Sequence, residues 1–129
     1  MSGFTDYLED ALLKHVFTNT AYTSPTTVYA ALFTVAPSDT GGGTEVSGGA
    51  YARQSMAFSV SGTGTLATNS AAVEYPTATA DYGTVVAVGI FDAASSGNLL
   101  AYANLTTSKT VSTGDVFRFN AGDVDRTLT

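Results

Sequence analysis

The chain has 129 residues, 44% of them hydrophobic, with a formal net charge of −6, no cysteine, no tryptophan and one histidine. That length supports one domain with its own core, and the apolar fraction is too high for a disordered chain. Eleven acids against five scattered cations exclude the basic cluster that displaces counterions from nucleic acid, and the missing cysteines exclude disulfides and thiolate metal sites.

Thr5 is placed to cap a helix, with Asp6 and Glu9 in the first turn, where carboxylates favour the helix dipole. Leu8, Leu12 and Val16 recur at four-residue spacing, Ala11, Leu13 and Phe17 widen the apolar stripe, and Asp10 and Lys14 are spaced to pair on the wetter side. With Asn19 as the stop, the spacing predicts a helix over residues 6–18. After Pro25 the period switches to two. Residues 28–35 and 84–91 are apolar on both alternating faces, so both strands are expected to be buried on both sides. The N-terminal helix is the candidate cover for the second face within the chain, and a neighbouring subunit is the other candidate. Met56, Phe58 and Val60 alternate with small residues, and Phe117 and Phe119 flank Arg118, which reads as strands with one wet side.

A long glycine-rich loop is predicted over residues 36–49, and compact turns at 61–64, 81–83, 95–98, 113–115 and 120–123. Further strands fall near residues 71–75, 99–105, 109–111 and 124–128. Seven or eight short strands at this spacing predict a mainly β fold, an antiparallel β-sandwich of jelly-roll type with one N-terminal α-helix. The expected organisation is one domain over residues 1–129, with a helical segment at 1–20 and the sandwich at 26–129. Acids at 6, 9 and 10 break any signal-peptide pattern, and the longest apolar run, residues 85–91, is too short for a membrane helix. The expectation is a soluble protein made in the cytoplasm of the producing cell, with neither membrane nor nucleic acid as partner.

Candidate chemistry is sparse. His15 has no carboxylate at helical spacing and forms neither a zinc site nor a triad by itself. Asp115, Asp123 and Asp125 match no calcium loop and read as turn formers at strand ends. Paired carboxylates for glycoside hydrolysis would have to come from Glu74 with Asp81 or Glu45 with Asp39, and nothing in the spacing brings either pair into a cleft. The scattered tyrosines read as sandwich packing rather than a sugar-stacking face. No cofactor is expected. The glycine loop lacks the lysine and helix of a phosphate cradle, which leaves a disordered surface loop or an arm that orders against a partner. The interface candidates are Glu45 in that loop, Tyr51 and Arg53 just beyond it, and Tyr7 and Leu8 on the helix.

Several stretches carry a resemblance in their order along the chain: Phe4-Thr5-Asp6-Tyr7-Leu8-Glu9-Asp10-Ala11-Leu12-Leu13, Ser47-Gly48-Gly49-Ala50-Tyr51-Ala52-Arg53, Tyr75-Pro76-Thr77-Ala78-Thr79-Ala80-Asp81-Tyr82-Gly83, Ile90-Phe91-Asp92-Ala93-Ala94 and Phe117-Arg118-Phe119-Asn120-Ala121-Gly122. Together they resemble a family of small virion proteins of tailed bacteriophages, commonly labelled phage tail fibre protein, some of whose members look like capsid decoration (cement) proteins. The resemblance implies a non-enzymatic, β-rich and oligomeric structural protein, and it supplies no catalytic or cofactor residue. The function expected from it is capsid decoration on the outer face of the virion, as an oligomer with a trimer favoured, bound to the major capsid protein or other virion proteins. The alternative is a tail-fibre or tail-tip component that contacts the host receptor.

Overall fold

In the computed structural model, which describes residues 3–60 and 66–127, the chain opens with a two-residue strand, β1 (Gly3–Phe4), and a helix, α1 (Asp6–Phe17). The capping chemistry of Thr5 is realised: its Oγ1 accepts from Leu8 N at 3.4 Å and donates to the carbonyl of Leu99 at 2.6 Å. Thr5 N donates to Leu100 O at 2.9 Å and Asp6 N to Asp39 O at 2.8 Å, so the start of the helix is tied to the sheet. Asp10 and Lys14 form the expected pair at 2.9 Å. At the other end Thr18 N and Thr20 N both donate to Lys14 O, around Asn19 in the left-handed region at φ 56°.

The strands that follow are β2 (Tyr29–Val35), β3 (Thr44–Glu45), β4 (Gln54–Ser55), β5 (Phe58–Val60), β6 (Leu66–Asn69), β7 (Val73–Glu74), β8 (Gly83–Phe91), β9 (Leu99–Val111), β10 (Arg118–Phe119) and β11 (Asp125–Thr127). All pairs are antiparallel. The main sheet runs β1-β9-β8-β2-β3, with β4 also on the outer edge of β2, while β10-β7 and β11-β6-β5 form two smaller sheets. Leu32, Val85 and Val88 from the main sheet meet Val73 and Phe119 from the smaller ones, and Val124 just before β11, in one buried cluster. The result is a sandwich-like, mainly β architecture with the second layer split in two. An aromatic group sits inside it: Tyr75 stacks on Tyr51 at 6.0 Å and meets Phe117 edge-on at 5.9 Å, and its hydroxyl donates to Ala30 O. These tyrosines do pack rather than line a surface.

Two local points differ from the sequence reading. Residues 99–105 and 109–111 form one strand, because residues 105–108 swing out as an irregularity opposite Val86 without ending the pairing of β8 with β9. Residues 66–69, to which the sequence pattern assigns no element, are the central strand of a small sheet, since β5 and β11 supply ladder partners invisible from local propensity. The expected turn at 61–64 and the last residue of the 124–128 strand lie outside the described residues.

The larger correction concerns the second face of β2 and β8. Both strands are buried on both sides as expected, with Ala31, Phe33 and Ala87 at 2% exposure or less on the far face. The helix does not provide the cover. It packs against β1 and β9, none of its residues is buried, and Leu13, Val16 and Phe17 stand exposed. The far face is instead closed by Phe91 stacked on Phe33 and by Arg53, whose guanidinium lies 3.6 Å over the Phe91 ring.

Candidate interface residues

Three of the five sequence candidates meet in one network. The outer edge of β2 pairs with β3 and then with β4, and between them the chain loops away over residues 47–53. That excursion would leave Leu32 N–H without a ladder partner; the Tyr51 hydroxyl accepts it at 3.0 Å and donates to Glu45 Oε2 at 2.7 Å. Arg53 closes the loop: Nε and Nη2 donate to the two Glu45 oxygens at 2.9 and 2.8 Å, and Nη1 donates to the carbonyls of Ala93 and Ser96. Burial alone would raise the Glu45 carboxyl, but the bonds from Arg53 and Tyr51 outweigh it and hold it below the ordinary carboxylate range. Burial, reinforced by the bond to Glu45, pushes the Tyr51 hydroxyl far above its ordinary value.

Glu45, Tyr51 and Arg53 therefore spend their hydrogen-bonding capacity inside the chain, as a brace between the β2 edge and the β8–β9 turn. The loop that carries Glu45 is tied down as well. Val46 N bonds to Leu32 O, Thr79 N bonds to Gly49 O, and Ser38 and Gly41 bond to each other. Gly43 and Gly49 make this possible: at φ 74° and 60°, a Cβ would come within 2.6 Å of Val35 O and 2.7 Å of Ala80 O. The expectation of a free arm is replaced by a loop pinned to the body at several points.

The other two candidates lie on α1. Leu8 is half-buried on the side facing the sheet, whereas Tyr7 is exposed. Sequence reading had placed Leu13, Val16 and Phe17 on the stripe facing the core; at 59, 66 and 78% exposure they form a solvent-facing patch at the free end of the helix. Nearby, Nδ1 of His15 accepts from Tyr22 N, which ties the following segment to the helix.

A surface feature absent from the sequence reading lies between β9 and β10, a groove of about 490 Å³. Val88, Leu105, Phe117, Phe119 and Val124 give it an apolar floor, and Lys109, Arg118, Asp123 and Asp125 stand among its polar lining. Its residues come from position 88 and from segments 103–109, 117–119 and 123–125, which no single local motif joins.

The carboxylates weighed as catalytic pairs are engaged in structural bonds. Glu74 pairs with Arg118, Asp81 accepts from the backbone and hydroxyl of Thr113, and Asp39 accepts from the Tyr102 hydroxyl. Asp115 and Asp123 accept turn N–H groups from Ser112 and Asn120, in keeping with their reading as turn formers. No helix among the described residues is long and apolar enough to cross a membrane. Residues 3–127 match the family model described as podophage GP4 fiber I protein gp80. No curated protein matches the chain.

Proposed function

The chain belongs to the podophage GP4 fiber I protein gp80 family, virion structural proteins of tailed phages, and from that premise we propose that it is a single-domain, non-enzymatic subunit of the tail-fibre apparatus. It works by protein–protein contact on the exterior of the particle. The family match over nearly the whole chain carries this reading, and the site supports it, since the acids that would serve catalysis hold turns, strands and the brace together. A second reading is decoration of the capsid through the major capsid protein, and residues 1–129 show neither the repeat nor the heptad pattern of a fibre shaft. Decoration would stabilise the assembled shell by linkage, because a partner that binds only the assembled state favours it. Gold-labelled antibody against the purified chain, applied to intact virions and imaged in negative stain, separates the two. Label at the tail with a handful of copies per particle is expected; label spread over the head with hundreds of copies replaces the fibre reading by decoration.

A further inference from the structure

Among the described residues, two exposed surfaces complement each other. The first is the outer side of α1. Leu13, Val16 and Phe17 sit at i, i+3 and i+4, the spacing with which an amphipathic helix anchors in a groove, and all three are more than half exposed. Asp6, Glu9 and Asp10 lie three, four or seven residues before these anchors and so flank them on the same side. The start of the helix is fixed by Thr5 and Asp6, while residues 13–20 are all exposed, so the apolar end is presented outward on a fixed stem.

The second surface is the groove between β9 and β10. At about 490 Å³ it lies within the range, roughly 300–1,000 Å³, of clefts that hold sizeable ligands. With Lys109 and Arg118 set against Asp123 and Asp125, its lining is formally neutral in a chain of net charge −6. Of the cations whose side chains are described, Lys14 is paired with Asp10 and Arg53 is held in the brace; the other two, Lys109 and Arg118, both line this groove. Lys109 has no ion pair among the described residues, and Arg118 is held only by an exposed contact to Glu74 at 3.3 Å and a bond to Asn120. Asp123, one of the two acids in the lining, already accepts the N–H of Asn120.

We infer that the free end of α1 from one copy of the chain docks into the β9–β10 groove of the next copy, with Leu13, Val16 and Phe17 over the apolar floor and the acids of the first turns facing Lys109 and Arg118. Such a contact joins two different patches, so it is head to tail and closes a ring when the rotation allows. It rests on the reading of the chain as an assembled virion subunit and adds the surface through which it assembles.

The test is sedimentation velocity on the full chain at tens of micromolar. Wild type is expected at a small multiple of 13.2 kDa. Phe17→Ser and the double variant Lys109→Glu/Arg118→Glu are each expected as monomers, with far-ultraviolet circular dichroism confirming that each is folded. Mixing the two is decisive: one retains the groove and the other the helix, so they are expected to pair into a heterodimer and stop there. A monomeric wild type, an oligomer that survives Phe17→Ser, or folded variants that fail to pair on mixing overturns the inference. If the groove variant is unfolded, Lys109→Glu alone, at an exposed position, takes its place. Gold labelling reads the other question separately: a monomeric chain found at the tail sinks this contact and leaves the proposed function standing.

Discussion

Replacing Arg53 by alanine removes the centre of the brace, and the structure sets the size of the loss. The side chain is 9% exposed and that of its partner Glu45 25%, so the pair is largely withdrawn from water. Truncation leaves the Glu45 carboxylate with the Tyr51 hydroxyl, takes the Arg53 donor from the carbonyls of Ala93 and Ser96, and uncovers the face of Phe91. Breaking a buried pair from one side costs about 3–5 kcal/mol, and lost cation–π contact adds roughly 0.5–2 kcal/mol. Residual water access to Glu45 reduces the first figure, so the expected destabilisation is about 3–4 kcal/mol. At roughly 3–5 °C per kcal/mol for a chain of this length, the melting temperature falls by about 10–20 °C. Urea and thermal unfolding of wild type and variant at one protein concentration measure this. The double variant Glu45→Ala/Arg53→Ala is expected to lose clearly less than the sum of the singles, as coupled partners do. A loss below about 1 kcal/mol for Arg53→Ala, or strict additivity, refutes the brace and returns Arg53 to the surface role suggested by its place after the glycine loop.

The same pair predicts a pH dependence. Its folded carboxyl value lies below the unfolded value of about 4.3, so its contribution is complete above that pH and is lost as pH falls through the folded value. The stability gap between wild type and Glu45→Gln is therefore expected to be flat above about pH 5 and to shrink on acidification, as read by urea unfolding at stepped pH; a gap that widens contradicts it. Tyr51→Phe keeps the ring stack but leaves Leu32 N–H without its acceptor, which is expected to cost about 1–3 kcal/mol in denaturant unfolding. In Gly89→Ala the new Cβ meets Phe33 at 2.7 Å and Leu99 at 2.8 Å, so overpacking of about 1–3 kcal/mol is expected, with a changed near-ultraviolet aromatic signal; an unaltered melt shows that the Phe33 ring yields freely.

Sequence alone determined what depends on near neighbours. The cap at Thr5, the four-residue apolar spacing and Asn19 bound α1 to within one residue, because capping and helical periodicity act over a single turn. Two-sided burial of β2 and β8 followed from their unbroken apolar runs, and the roles of Asp115 and Asp123 from side-chain bonds that span three residues. What only the tertiary structure decided depends on partners far along the chain. Arg53 reads as an exposed anchor beside a flexible loop until the β8–β9 turn, forty residues away, supplies carbonyls for its guanidinium and Phe91 a face beneath it. The apolar stripe of α1 gives no sign that Leu8 is half-covered while Phe17 stands exposed, since a helix pinned at one end can lie along a body or project from it with the same periodicity. The groove beside Lys109 and Arg118 exists only because β9 and β10 are brought together by a core assembled from both layers, a long-range packing event that no local pattern encodes.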